Sequence, residues 1–175
     1  GAFLRNATNT TFKNCTYVNI PNLFRFSKGS SGTDANSGTV LRNCILDGVT
    51  NPYDTRPLAA PMAYSGTATG YSDMAQVGVS YTDFWGGFAQ LSGNGNISAD
   101  PLFADSVQTD FHLKSEYGRW DGNAWVNDEV TSPCINAGDP YDNYPLEPAP
   151  NGNRINMGAY GNTAEASLKP DILGL

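Results

Sequence analysis

The chain has 175 residues, which suits a single domain, and only 15% of them are charged, while Gly (19) and Asn (18) are abundant. That composition excludes a helical bundle, which draws on Ala, Leu, Glu and Lys faces, and favours a turn-rich all-β protein. The formal net charge of −7 makes the chain a poor nucleic-acid binder and sets it against polyanionic sugars unless a cation bridges them, and no apolar run reaches the length of a membrane span.

In chain order, the first strand predicted is Ala2 to Arg5, and a short link then leads to Thr11-Phe12-Lys13-Asn14-Cys15-Thr16-Tyr17. That segment is echoed by Val40-Leu41-Arg42-Asn43-Cys44-Ile45-Leu46 and more weakly by Gly78-Val79-Ser80-Tyr81-Thr82-Asp83-Phe84, at offsets of 29 and 38 residues. Strand side chains alternate with period two. Phe12 and Leu41 therefore point inward, and Lys13 and Arg42 point outward. Asn14 and Asn43 form corners, because Asn tolerates the left-handed conformation. The corner shifts the alternation by one, so Cys15 with Tyr17, and Cys44 with Leu46, point inward again. In the third copy Val79, Thr82 and Phe84 point inward, with Tyr81 in the Asn place.

Each copy is preceded by a further strand: Ala2 to Arg5, Leu23 to Ser27, and Met62 to Ser65. About three strands per repeat, stacked in parallel, describe a right-handed parallel β-helix, a solenoid in which no coil buries its inner face alone. The long connections Lys28 to Gly38 and Gly66 to Ala75 leave one corner of it. Val49 to Pro61 leaves another and carries three prolines, which keeps it outside the sheets. The expected organisation is one continuous domain, with coils and long loops over 1–92 and the last coil and an irregular C-terminal cap over 93–175. That cap, with Trp120, Trp125, Tyr141, Tyr144 and Tyr160, covers the exposed end of the stack. The N-terminal edge begins inside a coil, and further coils or another copy of the chain would stack there. The chain opens on Gly1 without a leader pattern, which reads as a processed chain or a fragment.

From Gly93 the sequence carries Asn96-Ile97-Ser98-Ala99-Asp100-Pro101-Leu102-Phe103, then Asp110-Phe111-His112-Leu113, Ser132-Pro133-Cys134-Ile135-Asn136-Ala137-Gly138-Asp139, and Met157-Gly158-Ala159-Tyr160. This order of motifs resembles the C-terminal region of bacterial right-handed β-helix proteins with a choice-of-anchor Q region, within the pectate-lyase-like superfamily. The resemblance covers roughly residues 76–168. It implies the fold and a secreted or cell-surface location, and its relatives include polysaccharide lyases, glycosidases and adhesin-like proteins.

No catalytic constellation assembles from the residues. A lyase needs a carboxylate neutraliser, a base and an acid, and a glycosidase needs paired carboxylates. The candidate carbohydrate-binding residues are Lys13 and Arg42, stacked cations with no acid evident opposite them, and Trp85 and Phe88, aromatic faces for sugar rings. Asp100 and Asp105 are the Ca²⁺ candidates in an Asp-rich C-terminal half that lacks an EF-hand or a nonapeptide calcium repeat. His112, the single histidine, reads as part of the cap, and Cys15, Cys44 and Cys134 read as buried free thiols. The function expected is an extracellular scaffold or surface-interaction domain, the non-catalytic end of a larger secreted protein associated with polysaccharide or stacking on itself. The alternative is a polysaccharide lyase or glycoside hydrolase.

Overall fold

The computed structural model describes residues 2–5, 8–27, 38–53, 77–87 and 89–171. Among them there is no helix; the chain is all-β, built from short strands. Nine strands come in three successive passes: β1 (Ala2–Arg5), β2 (Thr11–Lys13), β3 (Thr16–Val18); β4 (Asn22–Ser27), β5 (Thr39–Arg42), β6 (Ile45–Asp47); β7 (Asn51–Tyr53), β8 (Val77–Ser80), β9 (Asp83–Trp85). Each pass gives one strand to each of three parallel sheets, ordered β1-β4-β7, β2-β5-β8 and β3-β6-β9.

The register is the one the repeat requires. Thr11 pairs with Val40 and Val40 with Gly78, so the offsets of 29 and 38 residues are hydrogen-bonded neighbours. Asn14, Asn43 and Tyr81 all have positive φ (53°, 54° and 48°), so Tyr81 does occupy the corner. A second corner ladder, Asn19, Gly48 and Gly86, repeats the same conformation one strand later. A Cβ on Gly48 would run into the Asn19 amide oxygen, so glycine lets one pass settle on the Asn below it.

One core draws on all three sheets: Leu4, Leu23, Phe24, Leu41, Leu46, Val79 and Phe84, with Cys44 and Val49 at the corners. Fully burying such side chains contributes roughly 1.5–3 kcal/mol each. Their counterparts in the first pass, Phe12, Cys15, Tyr17 and Ile20, are only half-buried.

The Val49 to Pro61 segment departs from expectation. It supplies β7, which pairs with β4 through Asn51 and Tyr53. Asn51 N–H donates to the Pro21 carbonyl (3.0 Å). Pro52, between those partners, turns its missing N–H away from β4 at the sheet edge, where proline is tolerated. The Met62 to Ser65 strand lies outside the described residues, as do most of both long connections, each of which runs from the first sheet to the second.

The C-terminal part divides into two covers where the sequence suggested one. Residues 89–98 close the far edge of the second and third sheets. Ile97 bridges to Asp83, Tyr81 N–H donates to the Asn94 carbonyl (2.8 Å), and the Asn96 side chain accepts from Thr82 N–H (3.0 Å) and donates to the Leu91 carbonyl (3.0 Å). Residues from 99 onward, with the hairpins β10 (Phe103–Asp105)/β11 (Asp110–Leu113) and β12 (Arg119–Trp120)/β13 (Trp125–Val126), build a second core on the flank. There Phe103, Leu113, Cys134, Ile135 and Met157 pack on Ile45, which faces away from the first core.

Candidate functional site

Lys13 and Arg42 are register partners on the second sheet, as the repeat demands. The expectation that no acid stands opposite them is corrected. The segment after Gly138 crosses their corner and brings Asp142 to 3.1 Å from Lys13 and 3.2 Å from Arg42 Nε, with Asp139 3.5 Å from Arg42. Asn43 holds this strap down. It is fully buried, donates to Asp142 (2.8 Å), accepts from Asp139 N–H (2.7 Å), and offers its carbonyl to Gly158 N–H (2.8 Å). The corner residue is thus also the clamp, and the two cations already face carboxylates of their own chain.

Trp85 ends β9 on the third sheet and is 40% exposed, while Phe88 lies outside the described residues. Trp85 is in register with Asp47, and Gly48 N–H donates to its carbonyl (2.8 Å). Trp85 therefore does not converge with Lys13 and Arg42, since it stands on the third sheet and they on the second. What does lie beside Trp85 is Asp47, whose carboxyl is held above the usual range by burial and by the charge of Asp100. Two residues earlier on β9, Asp83 is fully buried. It accepts from Ala99 N–H (3.0 Å) and from the Cys134 thiol (3.3 Å), and burial pushes its pKa up to about 6. An indole face beside a carboxylic acid suits a sugar ring, which presents C–H groups to the one and hydroxyls to the other. The sequence signal for Asp47 was present: it sits 38 residues before Trp85, the same offset as the repeat.

The Ca²⁺ candidates are engaged in turns. Asp100 accepts from Leu102 N–H (2.9 Å), and Asp105 from Val107 and Gln108 N–H (3.0 and 3.1 Å), the local bonds by which Asp initiates turns. Among the described residues no group of three or more His, Cys, Asp or Glu is placed to hold a metal ion.

A protein-family model described as disaggregatase related matches residues 22–138. The chain belongs to the disaggregatase-related family. No curated protein and no solved structure matches it. The matched stretch of this disaggregatase-related chain holds Asp47, Asp83, Trp85 and Asp100 but ends before the strap residue Asp142.

Two further clusters are built into the disaggregatase-related fold. His112 is buried between Asp110 (2.6 Å) and Glu165 (3.3 Å) and stacks on Tyr160 at 3.6 Å, while Arg119 bridges Asp110 (3.7 Å) and Asp128 (3.0 Å). This network ties β11 to the 160–168 segment. Cys15 and Cys44 are free thiols stacked in the ladder, and Cys134 is free and buried.

Proposed function

We propose that the chain is a right-handed parallel β-helix whose three passes are stacked coils, and that it serves as the scaffold and surface-interaction part of a larger secreted, carbohydrate-engaging protein. The ladder registers and repeated left-handed corners support the solenoid reading, as does the likeness to the pectate-lyase-like superfamily. The exposed Trp85 beside Asp47 carries the carbohydrate reading. The family description, disaggregatase related, fits a protein that engages the material holding an aggregate together. The half-buried first pass supports the stacking of another coil or another copy on that edge. Such a protein works outside the cell or at its surface.

The test is binding of the purified chain to polyuronates and neutral glycans. Retention of a glycan that Trp85→Ala weakens severalfold is the expected result; absence of binding to every glycan would overturn the carbohydrate reading. A second reading, a polysaccharide lyase or glycoside hydrolase, is favoured by the raised Asp47 carboxyl next to Asp100. New reducing ends, or unsaturated product absorbing in the ultraviolet with Ca²⁺ present, would establish it over the non-catalytic one.

A further inference from the structure

The single histidine of the chain stands where β11 meets the 160–168 segment. Its side chain is only 9% exposed, and each ring nitrogen faces a carboxylate. Nδ1 lies 2.6 Å from Asp110 and Nε2 lies 3.3 Å from Glu165. Tyr160 stacks on the ring, with centroids 3.6 Å apart and planes inclined by 22°. Arg119 stands 3.7 Å from the second oxygen of Asp110 and 3.0 Å from Asp128. Among the described residues, the charged and titratable groups of this network are therefore Asp110 on the same strand, Arg119 on β12, Asp128 after β13, and Tyr160 and Glu165 on the C-terminal segment.

The two carboxylates do not hold the ring equally. An ionised carboxylate only accepts hydrogen bonds, whereas a neutral imidazole has one donor and one acceptor. Only the imidazolium can donate to both neighbours. Once one proton is gone, a ring nitrogen turns a lone pair toward a carboxylate oxygen, and that contact becomes repulsive. Asp110 is the better placed to keep its bond: it is the closer, it also accepts the His112 backbone N–H (3.1 Å), and Arg119 backs it. Glu165 is the one to lose its bond. Its contact is longer, its side chain is 49% exposed, and among the described residues no second bond holds its carboxylate. The segment stays seated further on, through Ser167 Oγ on the Leu113 carbonyl (2.6 Å) and Leu168 N–H on the Gly118 carbonyl (2.8 Å). What the ring controls is thus the local grip around residues 160–166.

We propose that His112 is a pH-sensitive latch: the doubly protonated ring fastens the 160–166 stretch to β11, and the stretch slackens when Nε2 gives its proton to solvent as the pH rises. Histidine is the residue type whose charge changes near neutral pH, so modest changes in the medium reach this contact. The latch goes beyond the scaffold reading and does not depend on any glycan.

The test is amide hydrogen exchange of the whole chain followed by NMR, with the one imidazole resonance recorded on the same samples. Each rate is divided by the unstructured-peptide rate at that pH. Between about pH 5 and about pH 8, exchange at the Glu165 and Ala166 amides, which bond only within the segment, should rise in step with the His112 titration. The expected rise is about threefold or more. Glu165→Gln, at a half-exposed position, supplies an amide that can accept from the imidazolium and donate to the neutral ring. It should keep the contact and abolish the pH dependence. Constant protection across the range, a change whose midpoint differs from that of His112, or the same pH dependence in Glu165→Gln would each overturn the latch.

Discussion

Asn43 carries two roles in one side chain. Its φ of 54° would strain most other residues, and its buried amide bridges Asp139 and Asp142. Asn43→Gly keeps the backbone conformation and loses the clamp, whereas Asn43→Ala loses both. The expected order in urea denaturation is Ala worse than Gly, with Ala costing about 2–4 kcal/mol. Asp83 gives a pH signature at the same scale. Its folded pKa of about 6 stands above the ordinary 3.8, so the fold favours its protonated form. That contribution is complete below the ordinary value and is lost as pH rises through about 6. Asp83→Asn should remove a decline in the urea midpoint between pH 4 and 6 worth on the order of 2 kcal/mol. The Asn corners were readable because a left-handed turn needs a particular residue type. Asp83 was not, because its burial comes from a segment about fifty residues downstream, at Cys134.

At the level of elements, the stacked copies show which patterns a sequence exposes. The second sheet and its corner were legible from Phe12, Asn14 and Cys15 against Leu41, Asn43 and Cys44, since neighbours in a parallel ladder repeat chemistry. Strand β7 escaped because Pro52 looks incompatible with a sheet until one sees that it turns its nitrogen away from β4. The Asn19–Gly48–Gly86 ladder escaped because its residues differ in type and share only a conformation. The cysteine position, continued by Thr82 in the third pass, predicts a reactivity pattern. Cys44 is buried, and burial raises its pKa; its hydrogen bond to Cys15 lowers that half-buried thiol to about 6. Cys134 is buried and raised as well. Ellman's reagent at pH 7 should titrate one thiol in the native chain and three after unfolding, and Cys15→Ser should abolish the native reaction. The strap makes a further prediction. Replacing Asp139 and Asp142 together by Asn removes ion pairs that are each worth less than about 1 kcal/mol when partly exposed, plus the charge-assisted bond to Asn43. Limited proteolysis near residues 139–145 should accelerate, while the parallel sheets keep their circular dichroism.

Among the described residues, the decisive arrangement is that the C-terminal third lies along the flank while residues 89–98 close the end of the second and third sheets. The motifs through Phe103, Leu113, Cys134, Ile135 and Met157 were recognisable in order, but their destination was not. It depends on Ile45, a strand residue facing outward that reads in isolation like any other β-branched side chain. Ending the chain after residue 98 should therefore bare an apolar face centred on Ile45 and Val18, seen as binding of a hydrophobic dye and as concentration-dependent association in light scattering. If the truncated chain stayed monomeric and dye-silent, the flank would not be the stabilising cover described here.

The contacts made by that flank join residues far apart in sequence: Ala159 N–H donates to the Thr16 hydroxyl, Asn14 donates to the Asn156 carbonyl, and Lys13 meets Asp142. The passes can stack as they emerge from the ribosome, but the first two of them stay uncovered on this flank until residues 139–159 are made. Closing such distant loops is slow, and partly covered sheets are prone to wrong association while they wait. The same arrangement works in the finished protein's favour. Release of β2 or β3 requires the segment 142–159 to lift first, so these strands are locked by residues made well after them.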